Sequence, residues 1–96
     1  MPEICFFLGI HIYMYNELGG RHHYPHVHVS FSDSNAVFKI EDGRLMEGYL
    51  PTNKTRVLQK WIEERKKELM ELWGALNRKN VTITVFKIDP PKGKKG

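Results

Sequence analysis

A single cysteine, Cys5, leaves this chain without an internal disulfide, so its fold rests on packing alone and a reducing cytoplasm is the expected home. No apolar run approaches the roughly 20 residues that cross a bilayer. The most hydrophobic stretch, "ICFFLGIHIYMY", is interrupted by Gly9 and His11 and has neither a basic leader nor a small-residue cleavage site. It is expected to be a strand rather than a signal peptide or membrane anchor. Glycine-rich phosphate loops, Ser-His-Asp patterns and internal repeats are also missing. These absences remove the commonest nucleotide-binding, hydrolase and solenoid readings. At 96 residues the chain has room for one modest core.

Basic residues are scarce in the first half. Residues 1–51 carry three Lys/Arg against six Asp/Glu, net −3, whereas residues 52–79 are net +4 and residues 80–96 net +3. The basic half would attract an acidic partner or nucleic acid.

Alternation organises the first half. Ile4, Phe6, Leu8, Ile10, Ile12 and Met14 fall on even positions, which predicts one long strand with those residues inward. After "NELGGR", a second strand from His26 to Phe31 would turn Val27, Val29 and Phe31 inward and His26, His28 and Ser30 outward. "AVFKI" and "RLMEGYL" supply two further strands separated by "EDG", so the first half reads as an antiparallel meander. Beyond Pro51 the apolar spacing of Leu58, Trp61, Ile62, Leu69, Leu72, Trp73 and Leu76 predicts one helix of about 25 residues, capped by Thr52 or Asn53. "VTITVFKI" predicts a fifth strand. The expected fold is a two-layer α+β domain, an antiparallel sheet of about five strands packed against one long helix, over residues 1–88, with 89–96 a flexible basic tail.

The unusual feature is "RHHYPHVHV", which holds four of the five histidines. On the outward face of the first two strands, His11, Tyr13 and Tyr15 would lie beside His26, His28 and Ser30, and a register pairing Tyr13 with His28 would bring their Cβ atoms about 5 Å apart. Three uses stay open. His26 and His28 could hold a divalent metal with a third ligand from His11, His22, His23 or Glu17. They could exchange protons, with Tyr24 and Arg21 close by in sequence to assist on a phosphodiester. Or they could form a polar face without chemistry. Trp61 and Trp73 belong to the core by spacing, and nothing near Cys5 marks it as a nucleophile.

Four segments, "MPEI", "YPHVHVSF", "AVFKIEDGRLMEGYLP" and "WIEERKKELMELW", together resemble the small prokaryotic domain-of-unknown-function family 4160 over residues 1–76. The P-H-x-H-V core, the G-x-L-P before the helix and the paired tryptophans carry the likeness. The resemblance implies a neighbouring small cognate protein partner, in an arrangement similar to toxin–antitoxin pairs. It also implies His26 and His28 as functional residues, with Pro25 fixing their approach. On that footing the expectation is a component acting on or binding RNA. His26, His28 and Tyr24 would be its catalytic candidates, and Arg21, Lys54, Arg56 and Lys60 its phosphate contacts. No cofactor is expected. The alternative is a non-enzymatic interaction module or a metal-binding domain, and exposed sheet edges allow a homodimer by strand pairing.

Overall fold

The computed structural model describes residues 3–15, 24–76 and 87–91. Five strands run β1 (Glu3–Phe7), β2 (Ile10–Tyr13), β3 (His26–Phe31), β4 (Ser34–Lys39) and β5 (Leu45–Gly48), followed by helices α1 (Thr52–Glu64) and α2 (Lys66–Leu76). The strands form one antiparallel sheet in sequence order, β1-β2-β3-β4-β5. The expected α+β meander is present, but its strands and helix are divided differently.

The long first strand is two. Phe7 pairs with Ile10, and Leu8 and Gly9 between them both take positive φ, 51° and 78°. That is the two-residue reversal whose twist matches a hairpin, and Gly9 adopts it without steric cost. The inward set also shifts. Glu3 pairs with Tyr13 and Cys5 with Ile12, so Ile4 is an extra, bulged residue on β1. A bulge reverses the parity of everything beyond it. Cys5 and Phe7 therefore face the core with Ile12 and Ile10, while Phe6, expected inside, is 44% exposed beside His11.

The single long helix is likewise two, separated at Arg65, whose φ of −107° and ψ of 14° leave the helical range. The backbone ladder persists across the break, since Arg65 N–H donates to the Trp61 carbonyl and Leu69 N–H to the Arg65 carbonyl. The Arg65 side chain reaches away from its own helix to the 89–90 segment. Its guanidinium donates to the carbonyls of Asp89, at 3.3 Å, and Pro90, at 3.2 Å. Thr52 and Asn53 do not cap α1. The capping position is Pro51, and the Thr55 hydroxyl instead donates to the Leu50 carbonyl.

One core joins the layers. Ile10, Ile12, Val27, Val29 and Phe38 from the sheet pack with Leu58, Trp61, Ile62, Leu69 and Leu72 from the helices. Trp61 is fully buried, and its indole N–H donates to the Asp89 carbonyl at 2.7 Å. Ile88 is buried in the same core, and its N–H donates to the Ile4 carbonyl beside β1. Asp89 to Pro91, expected to begin a tail, thus carry contacts, and Pro91 is buried. The fifth strand expected at "VTITVFKI" lies outside the described residues, apart from Lys87 and Ile88 at its end. No described helix is long and apolar enough to cross a membrane.

The pairing of Gly48 with Ala36 depends on a missing side chain. At φ 82°, a Cβ there would collide with the Asn35 carbonyl oxygen and the Ala36 backbone. Gly48→Ala should lower unfolding stability by at least about 2 kcal/mol, through both left-handed strain and separation of β4 from β5. Trp61→Phe keeps most of the ring but removes the bond to Asp89, and should cost about 1–2 kcal/mol. Urea titration monitored by circular dichroism measures both.

Candidate functional site on the open sheet face

The helices occupy one face of the sheet, and the other carries a run of rings. Phe6 and His11 lie 4.4 Å apart between centroids. His11 stacks on Tyr13 and Tyr13 on Tyr15, each at 6.3 Å, and Tyr15 meets His28 edge-on at 4.7 Å. These separations are those of interacting aromatic pairs. They follow from the register of β2 and β3, which pairs Tyr13 with His28 and His11 with Ser30, as alternation suggested.

The same register continues across the sheet. His28 pairs with Val37 and Val37 with Glu47, so Tyr13, His28, Val37 and Glu47 form one row over four strands. Around this row lies a groove of about 350 Å³, with Tyr15, Ser30 and Asn35 also on its walls. A bulge helps to build its far side. Met46 is the extra residue on β5 between Glu47, opposite Val37, and Leu45, opposite Phe38.

The expected site residues separate. His28 lines the groove. His26, expected outward, is fully buried. It lies at the start of β3 with rings on several sides: His28 at 5.1 Å, Tyr24 at 5.6 Å and Trp73 of α2 at 5.0 Å. Alternation alone does not show this, because α2 reaches the end of the sheet. His26 Nδ1 lies 2.8 Å from the Tyr24 carbonyl, which can only accept, so Nδ1 carries the proton. Tyr24 is half-buried behind His26, with the Lys39 ammonium 5.6 Å from its ring centre. Lys54, Arg56 and Lys60 sit on α1, in the other layer. Lys54 rests over Phe31 at 5.1 Å, and Lys60 shares a cavity with Glu41, Asp42 and Glu63. Arg21, His22, His23 and Glu17 lie outside the described residues.

Among the described residues, no three His, Cys, Asp or Glu side chains come together as a metal site. His11 instead donates from Nδ1 to the Glu3 carboxylate at 2.6 Å. Sequence reasoning overlooked Glu47 and Lys39. Lys39 is the sole Lys or Arg on the described strands, and it flanks the face beside His26, with which it pairs. Their positions depend on the pairings of β4, which composition does not reveal.

A family model described as "Domain of unknown function (DUF4160)" matches residues 9–74. This chain belongs to the DUF4160 family. The DUF4160 match includes β2 to β5, and with them the whole Tyr13–His28–Val37–Glu47 row, but not β1 or the segment docked on Trp61. No curated protein and no solved structure matches the chain significantly.

Cys5 takes no part in the groove. Burial pushes its thiol up to about 11, so the reactive thiolate is scarce at neutral pH. At pH 8 a thiol-specific disulfide reagent should label the native protein at least about a hundredfold more slowly than the urea-unfolded chain. Equal rates in the two states would contradict an inward Cys5.

Proposed function

We propose that this DUF4160 domain binds single-stranded RNA on its open sheet face, as the RNA-engaging member of a toxin–antitoxin-like pair. The supporting observation is the unbroken run of rings from Phe6 through His11, Tyr13 and Tyr15 to His28, on a sheet face that α2 reaches at its His26 end through Trp73. Unpaired bases have flat faces that stack on such rings at about 1–3 kcal/mol each, with little regard to sequence. Lys39 at the flank suits a phosphate. Lys54, Arg56 and Lys60, on the other layer, act through the overall positive field that draws in a polyanion. Within this reading His28 is the imidazole placed to exchange a proton with bound RNA, and His26 and Tyr24 position it from behind.

Fluorescence anisotropy with a labelled octauridylate tests this. Tyr13→Ala and His28→Ala should each weaken binding roughly tenfold or more, from the loss of one stacking partner. Arg56→Ala should change it by less than about threefold at physiological salt. Absence of binding, or affinities unmoved by both ring deletions, would overturn the proposal.

The outer edge of β5 favours a second reading, an interaction module. Leu45 and Tyr49 are 38% and 64% exposed at that edge, where a partner's strand could add. The partner would be the cognate small protein, or a second copy of this chain. Co-expression followed by light scattering measures either complex. Assembly that survives Tyr13→Ala but is lost when a proline replaces Met46 would assign the contact to the edge.

A further inference from the structure

At the β1 side of the ring-bearing face, His11 is held from several directions. Its Nδ1 donates to the Glu3 carboxylate at 2.6 Å, the Phe6 ring lies 4.4 Å away, and the Tyr13 ring stacks on it within 13° of parallel. Glu3 reaches this face only because of the Ile4 bulge. It pairs with outward Tyr13, whereas Cys5 and Phe7, at the same parity in the sequence, pair with Ile12 and Ile10 and face the core. Re-aiming one side chain in this way is what a bulge can do beside a reactive site. The pair is open to water, with 43% of the His11 side chain and 29% of that of Glu3 exposed, so the contact adds little to stability. What it fixes is the ring. With Nδ1 donating, the neutral imidazole keeps its accepting lone pair on Nε2. An imidazole oriented through one nitrogen by a carboxylate, with the other left to accept, is the arrangement of a positioned base.

Resting on the RNA-binding reading, we infer that His11 is the general base of an RNA-cleaving reaction on this face, with Glu3 as its positioning residue. Phe6 is 44% exposed, and a base stacked on it holds its own ribose about one ring-width to the side, where His11 stands. His11 Nε2 takes the proton of the ribose 2′-hydroxyl. The 2′-oxygen then bonds to the adjacent phosphorus, and the bond from phosphorus to the 5′-oxygen of the next nucleotide breaks. One product ends in a 2′,3′-cyclic phosphate. The other carries a 5′-hydroxyl, whose proton comes from water or from His28, the imidazole diagonal to His11 across β2 and β3. Glu3 holds the ring in register and stabilises the imidazolium formed as the proton arrives.

The test follows labelled octauridylate with protein in saturating excess, beside the same octamer made with 2′-O-methyl groups. The wild-type chain should cut the first to 2′,3′-cyclic phosphate ends and bind the second without cutting it. His11→Ala should slow cleavage at least about a hundredfold, with an unchanged circular-dichroism spectrum. Sulfur in place of the bridging 5′-oxygen at one linkage gives a leaving group that needs no proton. It should leave the His11→Ala defect in place, as loss of a base requires. Glu3→Ala should also slow cleavage, and Glu3→Gln, whose side-chain oxygen still accepts from Nδ1, should restore it. Cleavage unmoved by His11→Ala, or a His11→Ala defect repaired by the sulfur linkage, overturns the assignment. So does octauridylate that is bound but left intact, an outcome that leaves stacking on the sheet standing. No binding to either octamer removes the RNA reading itself.

Discussion

The pairing of β2 with β3 decides which side of this protein does what. Ile10, Ile12, Val27 and Val29 must all face the helices, and because side chains alternate strictly, a slip of one residue would expose all four. The same constraint sends His11, Tyr13, His28 and Ser30 to the opposite face as a set. The ring-lined groove is thus a by-product of core packing. No separate device is needed to hold its rings in place, and its geometry is as firm as the sheet.

The meander was readable in the sequence because the apolar residues of β3 recur at every second position and turn residues bound the strands that follow. The inward faces of β3 and β4, and the helical stripe from Leu58 to Leu72, follow directly from periodicity. Less legible were features where one residue changes the count. The Ile4 bulge reverses the faces of β1, and the Leu8–Gly9 reversal divides a run that looks continuous. The break at Arg65 was equally hidden, because the apolar spacing runs on through it. Its partners are carbonyls more than 20 residues away, beyond the reach of any local pattern.

The site was half visible. Tyr13 beside His28 follows from alternation plus a register, and the structure has that register. His26 was not visible in this way, since its place in the pattern predicts exposure and α2 buries it with Trp73. Lys54, Arg56 and Lys60 were expected to contact the phosphates of an RNA on which the histidines act, yet the two-layer arrangement puts them on the helical layer, away from the His28 groove. Glu47 could be found only through its pairing with Val37, which depends on the second bulge.

The break at Arg65 also bears on how the chain folds. It leaves helices of 13 and 11 residues, near or below the length at which an isolated helix holds together in water. Neither segment is then a ready-made building block for early assembly. Both consolidate as their apolar stripes meet the sheet, so the meander comes first or forms together with them. Joining Trp61 and Arg65 to Asp89 closes loops of more than 20 residues, a late and entropically costly event. During synthesis, the helical layer is therefore secured only once Asp89 has emerged.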